Sequence, residues 1–404
     1  MPSTTSYLLI GLVAAVATFV CTPVVGRLAR MRGWVVEPDE RRIHLVPTPD
    51  VGGIAMYAGL VIAMGAARLD DHFDTIFARN DEPRGVLLAA SLMFVVGLFD
   101  DVREISAPAK VIGTIGVAAV LTYYGVTMFY FRLPFVGVFT VSDDWILLIT
   151  VVWLLGMSQA INLIDGLDGL AAGIVAIGAL AFFIYSLRLA DPTVRLLSSP
   201  SIGPLIAIIT VGICVGFLPH NFNPAKIFMG DCGALLLGLL LAVSTSVVGG
   251  RADPNLQGYA GQTYFFLAPL FIPLFILGVP ILDTLFAIIR RATRRQGVAT
   301  ADKRHLHHRL MEMGHGQRRS VIILWAWTAL LSAFVLYPIY SGSGDGVVPF
   351  GIAAILLSLY MFLHPGLRTK RDEGDVGDDG GEPPSEPPIV GPLPHRPASS
   401  GPVG

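Results

Sequence analysis

The sequence predicts an all-α polytopic membrane protein of about eleven transmembrane helices, and three observations carry that expectation. Of its 404 residues, 53% are hydrophobic and only 14% charged, with a mean hydropathy of +0.65. A water-soluble domain is normally about one-quarter charged. The apolar residues also gather into runs of spanning or near-spanning length, and the Lys and Arg residues fall mostly in alternate loops.

The runs lie at 6–25, 53–67, 85–99, 111–124, 145–160, 170–187, 202–217, 234–248, 264–289, 321–340 and 347–363. The first has no basic stretch before it, so it reads as a first spanning helix rather than a cleaved leader. An odd number of spans puts the two termini on opposite sides. With the loop after the first run assigned to the cytoplasm, 21 of the 28 Lys and Arg residues fall on the cytoplasmic side and 7 on the other. By the positive-inside rule the N-terminus is therefore outside and the C-terminus cytoplasmic. The chain divides into a transmembrane domain, 1–365, and a tail, 366–404, rich in Asp, Glu, Gly and Pro without apolar periodicity. Such a composition predicts a disordered, solvated segment.

Cys21, Cys214 and Cys232 are far apart, within or beside apolar runs. They read as packing residues, not as a disulfide or metal framework. The formal net charge of −2 decides nothing by itself. No nucleic-acid partner is expected; membrane lipids are, and a homodimer is admitted.

The polar motifs collect at the cytoplasmic mouths of the runs. Between the fifth and sixth lies Asn162-Leu163-Ile164-Asp165-Gly166-Leu167-Asp168-Gly169. A carboxylate pulled to a bilayer centre costs about 2.5 to 3.5 kcal/mol, so Asp165 and Asp168 are candidate site residues. The glycines allow tight turns and close approach of a phosphate or a helix. Asp100-Asp101 closes the third run, with Arg103 and Lys110 following. Adjacent acids raise one another's pKa, bind a cation, or both; capping of the next turn is the bland alternative. A loop holding Asn221, Asn223 and Asp231 precedes the eighth run. Asp231 can cap the following helix, or with Asn223 offer hard oxygen ligands to Mg2+. The loop from Arg41 to Pro49, including Thr48, ends in Gly52-Gly53 and suits either a lipid headgroup or a site. The last long inner loop carries Asp302, Lys303, Arg304, His305, His307, His308 and Arg309. Histidines among fixed cations suit an anion cradle better than zinc. Asp283 is a further intramembrane acid, either paired with a basic neighbour or facing the site.

Taken together, Asp100-Asp101, the run from Asn162 to Ala171, the segment Asn223 to Asp231 and His305-Leu306-His307-His308 resemble the polyprenyl-phosphate N-acetylhexosamine-1-phosphate transferases, glycosyltransferase family 4, over about residues 1–365. The form of the histidine motif and of the Arg41–Pro49 loop is most similar to the bacterial branch that moves GlcNAc-1-phosphate from UDP-GlcNAc to undecaprenyl or decaprenyl phosphate, the first membrane step of envelope glycan synthesis. The alternative within the family is phospho-MurNAc-pentapeptide transfer.

The resemblance implies a multi-pass plasma-membrane enzyme with a cytoplasmic site. It also implies Mg2+ as cofactor, with Mn2+ an admissible substitute. By position it implies Asp231 and Asn162 as metal ligands, and Asp100, Asp101, Asp165 and Asp168 as the catalytic and lipid-phosphate-placing acids. Thr48, Lys110, Asn221, Asn223, His305, His307, His308 and Arg309 are implied as substrate-binding residues. The reaction would exchange one phosphoanhydride for another, so no ATP site is needed, and no P-loop is present. Because the second pKa of a phosphate monoester is about 6, the acceptor is largely ionised already. Direct attack by the lipid phosphate with UMP leaving is the expected route; a covalent Asp intermediate is the competing one. A secondary transporter is the remote alternative, disfavoured because its acids would sit at the midplane within repeats.

Overall fold

In the computed structural model the described residues are 2–36, 47–79, 81–103, 105–128, 130–133, 137–190, 201–249, 315–341 and 346–363. The apolar run 264–289 with Asp283, the segment 37–46, the histidine loop and the tail 366–404 lie outside them.

The described elements run α1 (Thr4–Arg32), β1 (Val35–Val36), β2 (Thr48–Pro49), α2 (Gly53–Leu69), a 3-10 turn (Asp71–Phe73), α3 (Asp74–Arg79), α4 (Glu82–Arg103), α5 (Ala107–Tyr123), β3 (Tyr130–Leu133), β4 (Gly137–Thr140), α6 (Asp143–Ile164), α7 (Leu170–Ala190), α8 (Gly203–Asn221), α9 (Gly230–Gly249), α10 (Gly316–Ser341) and α11 (Val347–Leu363). Each apolar run within the described residues coincides with one of these helices. Seven of them are long and apolar enough to cross a membrane, or eight if the bent pair of α2 and the segment to Ala78 is one span. α5 and α11 are apolar but shorter. The protein is therefore all-α and polytopic, with two small antiparallel pairs, β1–β2 and β3–β4.

The bundle is built around α9. Almost all of its spanning residues are buried, and α2, α4, α6, α7 and α8 pack on it. Such an all-round apolar helix has only other helices to face, so it settles at the centre. α1 lies on α8 and α2, α5 bridges α4 and α6, α10 packs on α7, and α11 on α10. The outer faces of α1, α6 and α11 expose Leu8, Leu12, Phe19, Leu148, Val152, Ile355 and Leu356. Large apolar faces of this kind are what a lipid-bathed helix presents.

Small residues make the closest helix contacts, as expected where apolar burial cannot drive association. Gly212 and Gly216 of α8 meet the backbone of α1 at Gly11 and Ala15. α2 turns through 88° at its end into the segment Asp71–Ala78. Phe73 there packs edge-on against Tyr7 at 5.2 Å.

Candidate active site

The site-forming residues come from one end of the bundle, where α4, α6 and α8 finish and α2, α5, α7, α9 and α10 begin. The chain brings Asp100, Asp101, Lys110, Asp165, Asp168, Asn223 and Asp231 together there, through side-chain contacts that span up to 131 positions of sequence.

The start of α9 is its anchor point. Gly230 has φ +67°, and a Cβ on it would lie 2.5 Å from the Asp50 carbonyl oxygen and 2.7 Å from Asp101 Oδ2. Only glycine fits both the left-handed backbone and the crowding. The Asp101 carboxylate accepts the backbone N–H groups of Asp231 (2.6 Å) and Cys232 (3.0 Å). The opening amides of the central helix are thus satisfied by a side chain from another helix. On the other flank Gly52 and Gly53 donate to the carbonyls of Phe228 (2.9 Å) and Met229 (2.8 Å). The Phe228 amide donates to Pro49 at 2.8 Å. Thr48, 5% exposed, pairs with Val36 in the small ribbon that leads into this contact.

Asp100 and Asp101, just past the apolar run 85–99, still lie in the last turn of α4, which runs on to Arg103. Asp100 accepts the Ile105 amide at 2.9 Å, which stops the helix in the manner of a turn cap. It also pairs with the ammonium of Lys110, and the same ammonium reaches Asp231 Oδ2 at 2.7 Å. Asp101 serves not the turn that follows it but α9.

The α6–α7 junction is fixed by a second set of bonds. α6 ends as the Asp165 amide turns back to Ile161 and Asn162, both at 3.2 Å, and Gly169 with φ +80° opens α7. Asp168 accepts from Asn223 Nδ2 (2.9 Å) and from the Ala225 amide (3.1 Å). Asn221, 1% exposed, spans the same gap. Its Oδ1 accepts from the Gly169 amide and its Nδ2 donates to Ile227 O, each at 3.0 Å. Both ends of its amide are therefore engaged by backbone. Asn162 lies in the last turn of α6, beside this junction.

Three further residues adjoin the site. Asp50 contributes negative charge beside Asp101 and Asp165. Gln317 accepts from Asn223 Nδ2 at 2.6 Å, and Arg318 Nε donates to Asn223 O at 2.9 Å. An acid directly before Val51-Gly52-Gly53, and a cation at the mouth of the tenth run, were the available cues for Asp50 and Arg318. His305, His307, His308 and Arg309 lie outside the described residues.

Negative charge is concentrated at this end of the bundle. Asp165, half-buried at the end of α6, has its carboxyl held well above the usual carboxylate range, first by burial and then by the charges of Asp50, Asp231, Asp101 and Asp168. Among the described residues no group of three or more His, Cys, Asp or Glu side chains forms a finished metal cage. The donors are instead carboxylate and amide oxygens. That set fits Mg2+, which takes one or two protein carboxylates and fills its shell with water and substrate phosphate.

Comparison with known proteins identifies the family. Residues 84–249, from α4 through α9, match the family model for glycosyl transferase family 4. The chain is 36% identical over 367 residues to decaprenyl-phosphate N-acetylglucosaminephosphotransferase of Mycolicibacterium smegmatis, covering 90% of this chain and 89% of that one. It is 35% identical over 329 residues to the probable undecaprenyl-phosphate N-acetylglucosaminyl 1-phosphate transferase of Bacillus subtilis, covering 80% and 83%. A phospho-N-acetylmuramoyl-pentapeptide-transferase of Staphylococcus aureus is more distant, 28% identical over 345 residues with 80% and 96% covered. The matched span contains Asp100, Asp101, Asp165, Asp168 and Asp231, and the likeness extends along most of the length of its relatives: this chain belongs to glycosyl transferase family 4.

Proposed function

We propose that the protein transfers GlcNAc-1-phosphate from UDP-GlcNAc to a polyprenyl phosphate, releasing UMP and leaving polyprenyl-diphospho-GlcNAc. The observation that carries the reading is the convergence of Asp100, Lys110 and Asp231 at one end of an apolar bundle, in a chain 35% to 36% identical to proteins of that description. A soluble nucleotide sugar reaches such an end from the aqueous side while the acceptor phosphate stays at headgroup level. We read this end as lying at the cytoplasmic face of the plasma membrane, a reading that the excess of basic residues in the adjoining loops supports.

In this reading Asp231 and Asn162 would hold Mg2+, with Mn2+ able to replace it. The cation supplies neutralisation of the charge that develops as the phosphoanhydride breaks. The protein's own groups do the remaining work. Lys110 offers its ammonium to a phosphate oxygen. Asp100, held by the Ile105 amide, orients the acceptor phosphate and takes its remaining proton where one is present. Asp101 fixes the start of α9 and thereby the position of Asp231. Asp168, with Asn223 and Asn221, keeps the α8–α9 loop against α7. The lipid phosphate attacks the sugar-bearing phosphorus directly and UMP departs, without a covalent enzyme intermediate.

The test is UMP release by the detergent-purified full chain with decaprenyl or undecaprenyl phosphate, offered UDP-GlcNAc, UDP-GalNAc and UDP-MurNAc-pentapeptide in parallel. Release with UDP-GlcNAc that requires both lipid and divalent cation is expected. Preference for UDP-MurNAc-pentapeptide would replace the reading with the alternative, and no release from any donor would remove it. A sugar-phosphoryl-enzyme trapped without lipid would overturn direct attack.

A further inference from the structure

Asp231 is held in two different ways. Its backbone is fixed, because its amide is bound by Asp101 and the start of α9 is packed between α2 and α4. Its carboxylate, by contrast, is held by a side chain that can leave. Lys110 sits in the first turns of α5, with its own amide on Ser106 and its carbonyl accepting from Thr114. From that fixed base a flexible four-carbon stem carries the ammonium to Asp100 and to Asp231. Because one ammonium contacts both, the carboxylates of Asp100 and Asp231 are held close together. Two carboxylates that close need a positive charge or a proton between them. The three side chains are 23%, 12% and 25% exposed for Lys110, Asp100 and Asp231, so water screens the group only in part.

A divalent cation on Asp231 and an ammonium on the same carboxylate repel each other. We propose that Lys110 is a tethered counter-ion, which occupies Asp231 in the unloaded protein, competes with the divalent cation for it, and on displacement swings to the donor diphosphate. The first part rests on the ion-pair geometry alone; the swing to the diphosphate rests on the function proposed above. Lys110 then does more than bind phosphate. It keeps the cation from loading tightly by itself and makes loading of cation and nucleotide mutually dependent.

The test is Mn2+ binding, followed by electron paramagnetic resonance on the detergent-purified full chain without nucleotide. Lys110→Met is expected to bind Mn2+ at least about tenfold more tightly than the wild type, the effect of removing a like charge in direct competition. Lys110→Arg, which keeps the charge, is expected to stay near the wild-type value. Asp231→Asn in the Lys110→Met background should abolish the gain. If Lys110→Met does not elute as a folded species on gel filtration, Lys110→Gln carries the same expectation. Unchanged or weaker Mn2+ binding in the folded neutral variant, or a gain that survives Asp231→Asn, overturns the proposal. In a second arm, Mn2+ should strengthen UDP binding to the wild type and do so much less in the neutral variant. Equal enhancement in both would overturn the swing to the diphosphate. Neither arm measures turnover, so absence of UMP release would count against the transferase reading alone.

Discussion

Gly97 of α4 decides how closely Asp100 and Asp101 approach Asp231, and replacing it with alanine tests that placement. A Cβ at this position would fall 2.4 Å from Cys232 Cα, 2.7 Å from Cys232 N and 2.8 Å from the Asp231 carbonyl oxygen. All three are backbone atoms, so no side chain can rotate out of the way. Normal carbon contact begins near 3.5 Å, so α4 and the start of α9 must part by about 1 Å. Against this, alanine in a helix gains up to about 1 kcal/mol over glycine. Overpacking of this kind costs about 1 to 3 kcal/mol, so a net loss is expected. A displacement of about 1 Å between reacting groups is also worth on the order of a hundredfold in rate. Gly97→Ala should therefore lower the thermal midpoint of the detergent-purified protein and reduce UMP release by roughly two orders of magnitude. Gly65→Ala in α2 is the matched control, because nothing lies within 4 Å of its would-be Cβ. It should be neutral or mildly stabilising, by a few tenths to about 1 kcal/mol. If Gly97→Ala kept its midpoint and its turnover within twofold, or if Gly65→Ala were equally harmful, the α4–α9 contact would not be what positions the acids.

Asp231→Ala should abolish cation-dependent turnover while leaving the protein in the membrane; near-normal rates at saturating Mg2+ would take Asp231 out of the cation site. Asn221→Ala leaves the Gly169 amide and the Ile227 carbonyl without their partner, at a cost of about 1 to 3 kcal/mol; a thermal midpoint equal to wild type would show that the amide does not hold the loop. Asp165 gives a pH dependence with a defined sign. Its carboxyl is raised in the folded protein from an ordinary 3.8, so the folded state holds the proton more tightly and the stabilisation is present at low pH and lost as pH rises through the raised value. Without divalent cation, thermal stability should therefore fall as pH is raised from about 4, and Asp165→Asn should flatten the fall. An identical slope in that variant would assign the effect elsewhere.

The helical bundle was legible because its apolar runs are long and few other folds tolerate them. The acids were legible for a related reason: Asp100, Asp165, Asp168 and Asp231 each stand at the end of such a run, where a charge is conspicuous. What each acid does was less accessible. Asp101 and Asp100 are neighbours in sequence, yet one binds α9 amides and the other pairs with Lys110, a difference set by which way each points from the last turn of α4. Asn221 and Asn223 look alike in their loop, but the first is consumed by backbone while the second joins Asp168 to Gln317. Gly97 gave no sign and Asp50 little, since their importance lies in what a distant segment places against them. The short elements after α2 and the β3–β4 ribbon also escaped, being too short and mixed to show a period.

The carboxylate that caps α9 has one more effect. The exposed amides and positive dipole end of a helix are the usual resting place for a phosphate group. Here Asp101 already fills two such amides, so the start of the most buried spanning helix among the described residues is occupied by a carboxylate. Under the function proposed above, attraction for a diphosphate would then rest on charged side chains and a bound cation and not on this helix end.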